Sequence, residues 1–399
     1  MEIAFKNQTL LIGAQVMCGV GIASGVAVGG LLAEEIAGST AAAGFAQTAV
    51  VLGAGILSVP LAQLAAKRGR RWSLTVGFSV GAAGAVLIML AVASVQFWLL
   101  LLGMMLFGSG TATNLQSRYA ATELVDVKNQ ARAMSIVLWA TTVGSVAGPN
   151  LTDPGSRLGT ALGIEPLSGP YIFSIIAFAL AALFTLTLRM GAPSAGREGK
   201  PRTTGSMAAL GQASHQANAL FAVIAIVTAQ TMMVAVMVMT PVSMVHDGMT
   251  LEFVGVIISV HIMGMYAVSP LFGWLADKLG ARSVVFIGVA IFVAAFILGA
   301  IDSIAAHSEM IRLTISLFLV GLGWSACVIG GSTLLNQSVT SDIRIPLQGA
   351  VDSLMNVGAA ALAALAGPVL AFGGFLAINV MAACLLVPVG YFGLRALGR

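Results

Sequence analysis

The sequence predicts an all-α polytopic membrane protein, with twelve transmembrane helices in two pseudosymmetric six-helix bundles. Three observations predict it. The chain of 399 residues is 58% hydrophobic and only 9% charged, whereas a globular protein carries roughly 25% charged residues. The apolar residues gather into runs of about 20 or more, the length that crosses a hydrocarbon core at ~1.5 Å per residue. The basic residues fall at alternate gaps between those runs. The formal charge of +4 is therefore read by position, as topology, and is no signal for nucleic acid.

Twelve spans follow, at about 9–33, 41–65, 72–94, 96–120, 132–152, 169–190, 219–245, 252–273, 283–302, 312–337, 347–371 and 375–394. With the N-terminus inside, the cytoplasmic segments hold Lys6, then Lys67, Arg68, Arg70 and Arg71, then Arg118, Lys128 and Arg132. They continue with Arg189, Arg197, Lys200 and Arg202, then Lys278 and Arg282, then Arg344, Arg395 and Arg399. Of the 19 basic residues, only Arg157 and Arg312 fall on the other side. The bias puts both termini in the cytoplasm. The first span is longer than a signal-peptide core of roughly 7–15 residues, so a retained helix is expected. Cys18, Cys327 and Cys384 lie inside apolar runs without disulfide or metal-ligand spacing, and neither metal nor cofactor is expected.

The longest polar segment, 191–218, is rich in Gly, Ser, Pro and basic residues and reads as a flexible cytoplasmic linker. It separates an N-terminal bundle, 1–190, from a C-terminal bundle, 219–399. After the eighth span comes Gly273-Trp274-Leu275-Ala276-Asp277-Lys278-Leu279-Gly280-Ala281-Arg282. Glycines permit a tight turn between antiparallel helices, the carboxylate suits a neighbouring helix N-terminus, and the cations hold the turn inside. The stretch resembles the loop signature of the major facilitator superfamily, G-x-L-A-D-[RK]-x-G-[RK]-[RK]. A second copy, Ala62 to Arg71, follows the second span and keeps Gly69, Arg70 and Arg71 but has Ala66 where the signature has Asp. The resemblance covers the whole chain. It implies two parallel six-helix repeats and alternating access around a midplane site. It also implies that Asp277 helps to latch the cytoplasmic side, a role that Ala66 puts in doubt for the first copy.

The remaining candidates are polar residues inside apolar spans. Gly21, Gly25 and Gly29 in the first span form a close-packing strip or a path for substrate. Asn114 and Arg118 share a face of the fourth span; Arg118 either matches the basic residue that the family often places there or snorkels to the interface. The fifth span carries Gly144, Gly148 and Pro149, which resemble the family's antiporter motif without its final glycines, or mark a kinked packing helix. Gln15, Gln47, Gln230 and Asn336 add scattered amides. In the eleventh span Gln348, Asp352 and Asn356 recur every four residues on one face. A charge at mid-bilayer costs roughly 2.5–3.5 kcal/mol on insertion scales, so Asp352 faces protein. It either pairs with Arg344 or another cation, or accepts a proton. His261, mid-way along the eighth span, is a packing residue or a proton carrier, since its reference pKa of ~6.5 makes it an easy switch.

No phosphate-binding loop and no paired catalytic groups occur, so neither a nucleotide-driven pump nor an intramembrane enzyme is expected. The expectation is a monomeric secondary transporter, resembling drug:proton antiporters, in the bacterial cytoplasmic membrane. Asn114, Arg118, Gln230, Asn336, Gln348 and Asn356 are its cavity candidates, and His261 and Asp352 its proton-coupling candidates. Methionines 232, 233, 237 and 239 favour a small amphipathic organic substrate. Uptake of a small metabolite, and a receptor or assembly factor on the same fold, are the alternatives.

Overall fold

A computed structural model describes residues 2–39, 41–189, 205–246, 251–305 and 309–397. Residues 191–204 of the expected linker, with Arg197, Lys200 and Arg202, lie outside the described residues, as does Arg399. Every regular element among the described residues is helical. The long ones are α1 (Glu2–Ala37), α2 (Ala41–Arg68), α3 (Arg70–Ala93), α4 (Phe97–Thr122) and α5 (Gln130–Asn150). A short α6 (Thr152–Ala161) leads into α7 (Pro170–Leu186), and α8 (Ser206–Ser214) into α9 (Ala217–His246). Then come α10 (Leu251–Tyr266), α11 (Ser269–Leu279), α12 (Ala281–Ile304), α13 (Met310–Ser338), α14 (Ser341–Cys384) and α15 (Leu386–Leu397). Among the described residues ten stretches are long and apolar enough to cross a membrane, and the last, Ser341–Leu397, holds two expected spans. The fold therefore has about ten to twelve crossing helices.

Three local features depart from the sequence reading. The eighth span is two helices, because Pro270 lacks an N–H and its ring crowds the carbonyl of Tyr266, where α10 ends. The second half of the expected linker is the helix α8, not an irregular segment. The eleventh span and the first half of the twelfth run together as α14, broken at Gly373 and Gly374, where φ is −140° and 63°, and the rest of the twelfth is α15. A positive φ of that size favours glycine.

The chain forms two compact units. The first comprises Met1–Asp126, Ala140–Ala209 and Ser341–Ser353; the second comprises Val127–Trp139, Leu210–Thr340 and Leu354–Arg399. In the first, α4 packs against α2 and α3, and α7 against α1 and α3. Phe107 of α4 meets Tyr171 and Phe178 of α7 edge-on, with centroids 5.7 and 5.3 Å apart. Gly21, Gly25 and Gly29 lie under these rings and Met104, so the strip is a packing surface. In the second unit α13 packs against α9, α10, α11 and α12. Gly264 lies against the backbone of Phe318 and Leu322, and Gly321 against that of His261 and Met265. Such small-residue crossings supply the van der Waals contact that joins helices in lipid. Val293, Ile297 and Ile301 form an exposed apolar stripe on α12, as a lipid-facing helix requires.

A side chain at Gly321 would put Cβ 2.5 Å from the His261 carbonyl oxygen, whereas one at Gly211 meets nothing within 4 Å. Gly321→Ala should therefore destabilise the fold by about 1–3 kcal/mol, and Gly211→Ala should not. Thermal unfolding of the detergent-solubilised variants checks this; equal Tm values would contradict the crossing.

Candidate functional site

Near its C-terminal end α4 carries Arg118, whose Nη2 donates to Oδ1 of Asp352 at 2.7 Å. Both side chains are 0% exposed. The first turns of α14, which carry Asp352, belong to the same compact unit as α4. Gly349 brings them close: a Cβ there would collide with Ala62 of α2 and lie 3.2 Å from the Ser58 carbonyl oxygen. Arg118 also donates to the Tyr119 hydroxyl at 3.0 Å. Its guanidinium lies 4.6 Å from the centre of that ring, a cation–π geometry. Arg118 therefore does not snorkel. It is the cation against which Asp352 is held.

One turn before Asp352, Gln348 accepts a hydrogen bond from Arg70, the first residue of α3. Arg70 also pairs with Glu123 at 2.9 Å, and its side chain is 1% exposed against 41% for Glu123. A buried guanidinium thus bridges a half-exposed carboxylate to the same face of α14 that carries Asp352. The sequence placed Arg70 and Arg71 in a loop motif only. Arg71 does stay at the loop, 5.6 Å from the Trp72 ring, but Arg70 turns inward. Glu123 and Tyr119 were missed, although Glu123 follows directly on the fourth span.

The second loop copy works differently. Asp277 accepts the backbone N–H groups of Ala131 and Arg132 at 3.1 and 3.0 Å. These open α5, where free N–H groups and the helix dipole favour an anion. A Cβ at Gly273 would collide with the Ser135 side chain and lie 2.8 Å from the Ala131 carbonyl oxygen, so α11 and α5 touch there. Lys278 stands 4.7 Å from the Trp274 ring, and Arg282 donates to Asn218 at 2.6 Å. Gly69 and Gly280 hold the same turn, with φ of 92° and 91°. The two copies therefore share a backbone turn and differ in side-chain chemistry: Asp277 holds a helix N-terminus, and Arg70 holds a glutamine.

The other candidates are spread through the fold. His261 is 1% exposed, with Nδ1 2.7 Å from the Leu317 carbonyl oxygen. A carbonyl only accepts, so Nδ1 carries the hydrogen. Nε2 meets no hydrogen-bond partner among the described residues. Gln230 accepts from the indole N–H of Trp324 at 2.7 Å, and Tyr266 meets that indole edge-on at 5.5 Å. Trp324 was missed, although an indole N–H inside a span calls for an acceptor. Asn336 and Asn356 are buried. Asn114 accepts from Thr141 at 3.4 Å. In α5 Gly144 lies against Val16 and Val20, and Gly148 against Ala23 and Ser24, so these two glycines form a packing face on α1. The Pro149 side chain lies outside what the structure describes. Among the described residues no group of His, Cys, Asp and Glu is arranged to hold a metal ion.

Removing one partner of a buried ion pair costs roughly 3–5 kcal/mol, whereas replacing both by apolar residues is often neutral. Arg118→Ala should therefore lower Tm markedly, and Arg118→Met/Asp352→Leu should recover most of the loss. Thermal unfolding in detergent measures both; a single variant as stable as the parent would show that the pair does not form in the folded protein.

Comparison with known proteins agrees with this architecture. The family model of the Major Facilitator Superfamily matches residues 9–247 and 220–399. The chain is 35% identical to the uncharacterized MFS-type transporter YdeG of Bacillus subtilis (strain 168), over 94% of this chain and 89% of that one. It is 25% identical to the riboflavin transporter RfnT of Brucella anthropi, over 91% and 90%. The structure of the Escherichia coli fucose:proton symporter FucP superposes with a TM-score of 0.75, covering 98% of both chains at 16% identity. That last likeness concerns the fold alone. With its helical repeats, its loop motif and these matches, the chain belongs to the major facilitator superfamily and is a multi-pass secondary transporter of a small molecule, not an enzyme.

Proposed function

We propose that the chain is a proton-coupled exporter of small amphipathic organic molecules, working as a monomer in the bacterial cytoplasmic membrane with both termini inside. The observation that carries this reading is the enclosed Arg118–Asp352 pair. A proton arriving on Asp352 removes the charge that balances Arg118. A guanidinium deprived of its counter-charge is costly away from water, so proton loading favours a conformation in which Arg118 meets water, and substrate favours the deprotonated pair. Proton entry yields roughly 2.3 kcal/mol per 100 mV of membrane potential. His261 is the second candidate carrier: the Leu317 carbonyl holds its Nδ1–H and leaves Nε2 to take a proton. Met232 and Met233 are buried in α9, and such side chains adapt to varied apolar partners. Arg395 and Lys278, near the expected inner ends of their spans, support the orientation.

A second reading, import of a heteroaromatic metabolite, is favoured by the likeness to the riboflavin transporter RfnT over most of both chains. Ethidium and riboflavin, offered to reconstituted vesicles with a pH dye inside, separate the two readings by direction of movement. Asp352→Asn should abolish substrate-induced proton flux and leave substrate binding measurable. If the His261→Ala/Asp352→Asn double variant still moved protons with substrate at the parent ratio, the coupling site would lie elsewhere.

A further inference from the structure

Gln15 is 0% exposed, and neither its Oε1 nor its Nε2 meets a hydrogen-bond partner among the described residues. A buried carboxamide with both ends unused is rare in folded proteins. Its position can be built from the contacts around it. Cys18 of α1 donates to the Gly110 carbonyl oxygen of α4 at 3.6 Å, Gly25 lies under Phe107, and Gly29 lies under Met104. Numbers rise on α1 as they fall on α4, so the helices are antiparallel. Stepping back from Cys18 to Gln15 and forward from Gly110 to Asn114 therefore moves about one turn in the same direction. On the other side α5 is close: a Cβ at Gly19 would lie 2.8 Å from the Thr141 carbonyl oxygen. Around α1, Gln15 falls between the arc that meets α4 (Cys18, Gly25) and the arc that meets α5 (Gly19, Ala23). It points into the junction where Thr141 donates to Asn114 at 3.4 Å.

We infer that Gln15, with Asn114 and Thr141 beside it, is a recognition site for a planar amide or imide edge of the transported molecule. A carboxamide offers a donor and an acceptor side by side. A lactam or cyclic imide offers the complementary acceptor and donor in one plane, so two parallel hydrogen bonds would satisfy the side chain at once. A site built to bond an N–H discriminates strongly against an analogue that lacks it, because its polar atoms are then left buried and unused. The inference rests on the transport reading and narrows its substrate class. Substrate would reach the enclosed Gln15 in a member of the alternating-access cycle that opens this junction.

The test uses the full chain in proteoliposomes with three probes: riboflavin, whose ring carries an imide N–H; its 3-methyl derivative, in which that N–H is gone; and ethidium, which has no such edge. The parent protein should move riboflavin at least tenfold faster than the methylated form. Gln15→Leu should erase that preference, leave ethidium movement within twofold, and unfold at the parent Tm or above, since it removes an unsatisfied group. The similarly shaped Gln15→Met, which loses donor and acceptor alike, should erase the preference too and serves if the leucine variant fails to fold. A preference that survives either variant, or a parent that does not distinguish the two flavins, overturns the inference. So does a parent that moves ethidium but no flavin, which leaves the transport reading standing. If no probe moves, the transport reading falls and the inference with it.

Discussion

Hydrocarbon offers no partner to a charge or a bare hydrogen-bonding group, and the structure is arranged around that constraint. Two arginines, Arg70 and Arg118, are nevertheless enclosed in one compact unit. Each is held by an acceptor that reaches it from another helix: Asp352 for Arg118, Gln348 and Glu123 for Arg70. The first turns of α14 supply two of those acceptors, four residues apart. Their seat against α2 depends on Gly349, which has no side chain to hold the helices apart. Without that close approach both guanidiniums would lose the acceptors that α14 supplies. The polar network therefore depends on a glycine contact, as the helix crossings of α13 do.

The internal repeat is preserved as a backbone shape and altered as chemistry. Gly69 and Gly280 take nearly the same positive φ between consecutive helices. At the aligned position Asp277 binds two amides that open α5, while Ala66 has no polar atom to offer. The first copy substitutes another device, the inward turn of Arg70 onto Gln348. The small residue has also changed sides. In one contact it is Gly273 on the loop-bearing helix against Ser135, and in the other it is Gly349 on the partner helix against Ala62. A capping carboxylate meets fixed backbone donors at a more exposed helix end, whereas the arginine–glutamine bond joins two buried side chains.

Much of this was legible in the sequence because lipid imposes long-period rules. Span length, the basic residues at alternate gaps and the turn glycines depend only on composition along the chain, so the helical class and the loop motif could be read directly. The capping role of Asp277 was also legible, since an acidic residue at that turn has few other uses. The Arg118–Asp352 pair was only half legible. Each residue was a candidate, but the partner of Asp352 was left as Arg344 or another cation, because sequence spacing carries no information about residues 234 positions apart. The inward turn of Arg70 was hidden by the run of basic residues around it, which reads as a topological signal. Pro270 was visible, but a continuous apolar run masked the break that it makes.

The account stands on Asp352 exchanging a proton against Arg118 during transport. Infrared difference spectroscopy of the reconstituted protein, with carboxyl-labelled aspartate and the Asp352→Asn variant as reference, observes that event directly. The account predicts that acidification exchanges an Asp352 carboxylate band for a protonated carboxyl band, that substrate reverses the exchange, and that neither change occurs in the variant. A carboxylate band at Asp352 that persists unchanged through acidification and substrate addition would contradict it.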